Sequence, residues 1–428
     1  MSLDHVTDLP VTLEDSRKDS SATCPIDHTT MFQKKTARAA EPATAPDVER
    51  ADDGTWHVRG FPEARAILRG PNTRQAGFRA DLINRISVAE NAPILYQEGK
   101  THQQQRKQTA RFFTPKKVSG DYRRLMEALA DDLIADLKRS GRADLSALSL
   151  TLAVRVASAV VGLTNSRRPG IDKRLEGFFS ADFSGDSGAR GLRKALARLR
   201  GIGLSQWRVT RFFSLDVKPA IAARRHQPQE DVISHLLARG YRDREILTEC
   251  ITYAAAGMIT TREFISMTAW HMLEQPDLRA RYLAADEGER MTILEEILRL
   301  EPVVGHLYRR ATDDISLSVG DESLTIPRGA LVDLHIHATN TDERIAGEHP
   351  FAICPDREPR GERVSSELLS FGDGAHRCPG SFIALQETDI FLRRLLALDG
   401  LRIERAPTLT WNELVAGYEL RHFRIAIA

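Results

Sequence analysis

Twelve residues, Ser370-Phe-Gly-Asp-Gly-Ala-His-Arg-Cys-Pro-Gly-Ser381, constrain the fold more than any other part of the chain. Gly372 and Gly374 permit a tight loop that comes close to a neighbour. Cys378 follows, and Pro379-Gly380 leads into an amphipathic pattern from Ser381 to about Leu398. A cysteine just ahead of a helix has its thiolate favoured by the helix dipole and by free backbone N–H groups. Such a sulfur is a good soft ligand for iron, tuned by those N–H contacts. Two other uses of the same residue compete: a buried small hydrophobe, or a zinc set with His349, Cys354 and His376. The zinc set lacks the closely paired cysteines that structural zinc sites favour.

The rest of the chain supplies a helical frame for this loop. Apolar residues recur at three- and four-residue spacing over Val118–Ser140, Leu192–Arg225, Asp243–Gln275 and Met291–Leu300, and Asp231–Arg239 fits a shorter helix. Asp243 reads as the N-cap of its helix, with Glu245 adding acid to the first turn. From Ala311 the pattern alternates instead, in Ile315–Val319, Ser323–Ile326 and Leu331–Ile336, with turns at Gly320-Asp321 and Pro327-Arg-Gly329. Trp56–Val58 and Leu420–Ile427 read as strands at either end. Without a βαβ rhythm a parallel-sheet fold is excluded, and the expectation is a mainly α domain with a small β-rich part. Residues 1–48 are polar, carry Pro10, Pro25, Pro42 and Pro46, and read as a flexible leader or a docked arm; 49–428 read as one domain.

Composition removes several classes of function. Lys and Arg total 60 against 59 Asp and Glu, so the chain lacks the cationic excess of a nucleic-acid binder. Leu148–Leu163 is the most apolar stretch, and Arg155 interrupts it, so no membrane span is expected. Four scattered cysteines make no disulfide framework and fit a cytoplasmic protein.

The loop Phe371-Gly372-x-Gly374-x-His376-x-Cys378-x-Gly380 resembles the haem-binding loop of the cytochrome P-450 superfamily, the haem-thiolate monooxygenases of soluble bacterial type, at every position of that pattern. Three further features resemble the same family. Glu296-Ile-Leu-Arg299 puts a carboxylate and a guanidinium side by side on a helix, like the family's structural pair, which an arginine from among Arg357, Arg360 and Arg363 would complete. His102-Gln-Gln-Gln-Arg106 and Arg309 in Arg309-Arg-Ala-Thr312 are similar to the family's propionate contacts, with His376 as another. Tyr253-Ala-Ala-Ala-Gly-Met-Ile-Thr-Thr-Arg-Glu-Phe264 is similar to the long helix crossing above the haem, where Ala256 and Gly257 leave room for cofactor and dioxygen.

The resemblance implies a triangular, mainly α fold with haem b between the long helix and the cysteine loop. It implies Cys378 as iron ligand, Phe371 and Gly372 in the loop around it, and the threonine pair Thr260-Thr261 beside the bound dioxygen. The family's acid before that threonine is replaced by Ile259, which leaves Glu263, one turn on, as the candidate proton relay. The implied activity inserts one oxygen atom from O2 into a lipophilic small molecule, with electrons from a separate ferredoxin and ferredoxin reductase. No G-x-G-x-x-G follows a strand that could bind a nicotinamide or flavin in this chain. The loss of the acid also keeps open oxidative coupling, desaturation or peroxide-driven oxidation. A haem-binding sensor is the non-enzymatic alternative. By position, Phe78, Leu82, Ile86, Ala255, Ala256, Ile259, Val303, Val304, His306 and Val415–Tyr418 are the candidate substrate pocket, of a kind suited to secondary metabolism. A run from Lys100 to Arg124, with Lys107, Arg111, Lys116, Lys117 and Arg123, is a candidate docking face for an acidic redox partner.

Overall fold

The computed structural model describes residues 34–36, 45–78, 92–179, 203–204, 206–413 and 415–427. Its main core is helical. The helices Arg123–Ser140, Leu145–Val161, Glu287–Leu300 and Ser381–Leu396 pack with a long central helix over 243–274. Several of their ends are set by capping residues. Asp144 caps Leu145–Val161 by accepting from Ser146 N, and Gly141 and Gly162 close their helices in the left-handed region that a side chain resists. Arg155 is exposed on a mostly buried helix, and no helix among the described residues is long and apolar enough to cross a membrane.

The central helix differs from its expected form in two ways. Its N-cap is Arg242, whose N–H donates to the Glu245 carboxylate at 2.7 Å, while Asp243 pairs outward with Arg225. The residue one step earlier serves because Glu245 can then reach back to it. The helix is also not uniformly α: Ala255–Ile259 forms a π-helical turn between Asp243–Ala254 and Thr260–Glu274. This turn advances the register by about one residue, so a simple 3.6-residue wheel misplaces the side chains beyond it.

A second, smaller core lies under a five-stranded sheet ordered Val48–Arg50, Trp56–Val58, Leu331–His335, His306–Ala311 and Thr73–Gln75. The helix Phe61–Arg69 and the hairpin Ile315–Val319/Glu322–Ile326 contribute to that core. Trp56–Val58 pairs parallel with Leu331–His335, with Trp56 opposite Val332, so one parallel pair exists despite the missing βαβ rhythm. Its strands come from opposite ends of the chain, which no local pattern announces.

The expected leader is partly structured. Val48 already belongs to the edge strand, and Asp47 O accepts from Arg59 N at 2.7 Å. Thr36 is buried and donates its hydroxyl to Glu301 at 2.6 Å, next to a bond from Lys35 N to the same carboxylate. For 34–36 the docked arm is what the structure contains; 1–33 and 37–44 lie outside the described residues.

The feature that fixes the cysteine loop is a buried charge network. Arg299 has no solvent exposure and grips both Glu296 oxygens at 2.7 and 2.9 Å. Its remaining N–H groups donate to Asn340 O, Pro350 O and Ala352 O. Arg357 completes the network through Glu296 Oε1 at 3.0 Å, whereas Arg360 and Arg363 are exposed. Asn340 carries the order onward, accepting from Leu369 N at 3.0 Å and donating to Ser370 Oγ at 2.8 Å.

Removing one member of a buried pair leaves the other charge unpaired, at roughly 3–5 kcal/mol. Glu296→Ala and Arg357→Ala are therefore expected to lower the melting temperature sharply, and Arg360→Ala and Arg363→Ala to leave it unchanged. Equal melting temperatures for all four would reduce the network to a surface ion pair.

Candidate functional site

The cysteine loop is held from three sides. Cys378 N donates to Phe371 O at 2.8 Å, closing the loop on itself, and Gly372 (φ 69°) turns the chain with its N–H on Leu369 O. Gly374 is required sterically: a Cβ there would fall 2.2 Å from Leu68 O, a backbone atom that cannot move aside. Asp373 ties the loop to the helix Phe61–Arg69, accepting from Arg65 at 3.1 Å and Arg69 at 2.8 Å.

Cys378 itself is half-buried, directly before the helix Ser381–Leu396. Burial pushes its thiol up. Against this work the N–H groups of Gly380 and Ser381, and the positive charges of Arg106 and Arg377. These are the donors that a sulfur ligand at a helix start needs.

A cluster of cationic and imidazole groups adjoins the sulfur. His102 and Arg106 project from Gly99–Thr109, four residues apart, and Arg309 from the strand His306–Ala311. Arg106 donates to Arg377 O at 2.5 Å, and the His102 ring stacks on His376 with centroids 4.1 Å apart. His102 is buried, and burial followed by the charges of His376 and Arg106 holds it down at about 4, so its ring is neutral near pH 7. Two polar atoms here are buried with no hydrogen-bond partner: His102 Nδ1 and Arg309 Nε. Orphaned polar atoms of this kind are uncommon in a finished protein interior. A cofactor bearing carboxylates beside the sulfur would satisfy them, so this donor set fits haem.

His376 Nε2 lies 2.9 Å from Glu98 Oε2, so a carboxylate of the protein itself engages this ring. Burial works to raise the Glu98 carboxyl, but His376, the Gln75 N–H and Arg309 outweigh it and hold the group low. Glu98 escaped the sequence reading, although Glu98, His102 and Arg106 share a four-residue spacing that would have put all three on one helix face.

On the central helix the expected residues separate. Ala256 is exposed on the open face, and Thr260 Oγ1 donates to Ala256 O at 2.6 Å. Gly257 faces Leu145–Val161, where a Cβ would meet Ala157 Cβ at an ordinary 3.6 Å. Thr261 is buried. Glu263 does not face Thr260's open side. It is fully buried, accepting from Leu420 N at 2.7 Å, Arg421 at 2.7 Å and Arg262 at 2.8 Å. These bonds anchor the C-terminal hairpin Thr408–Asn412/Gly417–Arg421 on the central helix.

Phe78, His306, Val415 and Ala416 do meet, around a cavity of about 300 Å³ that Tyr308, Arg310, Leu331 and Glu413 also line. Tyr308 and Arg310 could have been found by continuing the two-residue alternation from His306. Val303 belongs to the main core instead, and Val304 bridges to Gly417, because the chain there closes on the C-terminal turn. Tyr418 is likewise fully buried. Ile259 is buried and Ala255 half-buried, neither at this cavity, and Leu82 and Ile86 lie outside the described residues.

A family model described as Cytochrome P450 matches residues 291–398, a stretch that contains Glu296, Arg299, Arg309, Arg357 and the whole cysteine loop. Cytochrome P450 monooxygenase PikC of Streptomyces venezuelae is 28% identical over 389 residues, covering 87% of this chain and 82% of the relative. Erythromycin C-12 hydroxylase of Saccharopolyspora erythraea is 27% identical, covering 82% and 84%. The crystal structure of CalO2 shares the fold, with a TM-score of 0.72 at 22% identity over 89% of this chain and 93% of that one. Glu296, Arg299, Arg309, Arg357 and the cysteine loop fall within the matched stretch, whereas Glu98, His102 and Arg106 lie outside it; the family model, the relatives and the shared fold together support a cytochrome P450, a haem-thiolate monooxygenase with haem b as cofactor.

Proposed function

We propose that this enzyme binds haem through Cys378, takes electrons from a separate acidic ferredoxin, and oxygenates a lipophilic small molecule of secondary metabolism. The observation that carries the reading is the adjacency of Cys378 to a cationic cluster with two buried, unpartnered atoms, His102 Nδ1 and Arg309 Nε. When bound, haem-thiolate supplies oxygen activation and transfer of one oxygen atom to substrate, the other leaving as water with two electrons and two protons. The chain's own residues do the rest. Arg106, Arg309 and His102 neutralise and hold the cofactor's carboxylates, while Gly380 N–H and Ser381 N–H restrain charge on the sulfur. The relatives' names point to natural-product oxygenation, and the cavity bordered by Phe78, Val415 and Leu331 suits an apolar substrate, with His306 and Arg310 to read a polar group. Turnover with a surrogate ferredoxin, its reductase and NADPH, over a substrate panel chosen by spin-state shift, tests the reading. Cys378→Ser should abolish product, and retained product would remove Cys378 from the iron.

Proton delivery is the specific weakness of this site. Ile259 can carry no proton, and Glu263 is committed to Leu420 and Arg421. Protons therefore reach Thr260 from water entering along the open face beside Ala256. The same residues support a second reading: oxidation driven by hydrogen peroxide, which brings its own protons. Thr260→Ala should raise peroxide release per NADPH consumed. Glu263→Gln should leave that ratio unchanged and lower stability by about 1.5–3 kcal/mol, since Arg262 and Arg421 lose a charged partner. Tight coupling unaffected by Thr260→Ala, or uncoupling by Glu263→Gln, would contradict this assignment.

Only part of the basic run is available for docking. Lys117 pairs with Asp121 and Glu230, Arg123 with Glu127 and Glu287, and Arg124 with Asp121. Lys100, Lys107 and Lys116 are exposed with no ion pair among the described residues, and the helix Gly99–Thr109 abuts the cysteine loop through Arg106. Exposed charges act over about 8 Å at physiological salt. Reduction by an acidic ferredoxin should slow with added salt and with Lys107→Glu plus Lys116→Glu, and far less with Lys117→Gln. Salt-independent reduction would leave these lysines as a solvated face.

A further inference from the structure

The five-stranded sheet carries a histidine cluster that the haem site does not use. His57 stands opposite Asp333 across the parallel pair, and His306 opposite His335 across the antiparallel one. Alternation along the strands puts all four on one face of the sheet. His57 Nδ1 lies 2.8 Å from His335 Nε2. The same two nitrogens lie 3.4 and 3.3 Å from one oxygen, Asp333 Oδ2. His306 Nδ1 reaches both carboxylate oxygens, Oδ1 at 2.9 Å and Oδ2 at 3.1 Å, and the His306 ring is held edge-on by Trp411 with centroids 5.8 Å apart.

A proton can bridge only two of these three atoms well at a time. If one of the facing nitrogens donates to the other, the carboxylate oxygen stands 3.4 and 3.3 Å from the two. If both are protonated, two N–H groups oppose each other at 2.8 Å. A cation satisfies all three atoms together. Edges of 2.8, 3.4 and 3.3 Å put the triangle's centre about 1.8 Å from each atom, just inside the 2.0–2.1 Å bonds that zinc makes to histidine and carboxylate. An ion slightly off that plane meets all three ligands with little movement and keeps open positions.

We propose that His57 Nδ1, His335 Nε2 and Asp333 Oδ2 bind a divalent transition-metal ion of the zinc class, with His306 orienting the carboxylate. Two imidazoles and a carboxylate select a borderline ion over magnesium or calcium, which require oxygen ligands. A histidine hydrogen-bonded to the ligating carboxylate is the outer-shell support that such sites need. Asp333 is buried, with its carboxylate facing the imidazoles of His57, His306 and His335. The ion would tie Trp56–Val58 to Leu331–His335, beside the strand that carries Arg309. His306 also lines the cavity, so the site borders the space assigned to substrate.

The test uses the haem-loaded full chain, stripped with chelator and titrated with Zn2+ by calorimetry. One equivalent should bind and raise the melting temperature, and His57→Gln and His335→Gln should each weaken binding at least tenfold. His226→Ala, an exposed histidine outside the cluster, should change nothing. Zinc-edge X-ray absorption on the wild type keeps the proposal testable if a variant misfolds: only nitrogen and oxygen neighbours at 2.0–2.1 Å are expected. Sulfur in the first shell, binding unaltered in both glutamine variants, or no binding to the wild type would overturn it.

Discussion

A guanidinium cut off from water must be surrounded by acceptors, and Arg299 imposes that requirement on everything around it. Glu296 supplies the counter-charge, and three backbone carbonyls between residues 340 and 352 supply the remaining acceptors. Arg357 repeats the arrangement from the other side of Glu296, gathering carbonyls of Glu348, His349 and Ala352. A long irregular segment is thus held by two side chains in place of a regular ladder. Through Asn340 and Ser370 the order passes into the cysteine loop, so the position of Cys378 depends on a charge pair on a different element.

The loop and the cationic cluster divide the electrostatic task. Backbone N–H groups at the start of Ser381–Leu396 act on the sulfur, whereas Arg106, Arg309 and His102 form the cationic and imidazole cluster beside it. Glu98 connects the two by holding His376, whose ring in turn stacks on His102. Desolvation makes these charges matter: Arg309 is almost wholly buried, and an unpaired buried cation is costly unless an anion joins it.

Local chemistry was legible in the sequence where one short segment carries it. The glycine–cysteine loop, the Glu296–Arg299 turn and the His102–Arg106 turn each carry their chemical groups within a few residues, and their spacings announce them. Partners far apart in sequence were not legible. Glu263 sits one turn from Thr260, yet its bonds go to Leu420 and Arg421, 157 and 158 residues away. Thr36 on Glu301, and His57 beside Asp333, are similar cases. The π-helical turn at Ala255–Ile259 defeats the helical wheel at the point where the wheel was needed. Val303 was assigned to the pocket by position along the chain, whereas the close approach of Gly417 turns it into the core: a Cβ on that glycine would lie 1.8 Å from Val303 O.

A sulfur, and not an imidazole, is the proposed protein ligand to the haem iron, although His102 and His376 lie close by. The reduced carbonyl difference spectrum of the wild-type holoprotein decides this most directly. A Soret band at the long wavelength produced by thiolate ligation is the predicted result, because the N–H groups of Gly380 and Ser381 with Arg106 favour the ionised sulfur. A band at the shorter wavelength of histidine-ligated haem, present in freshly purified active enzyme, would contradict it.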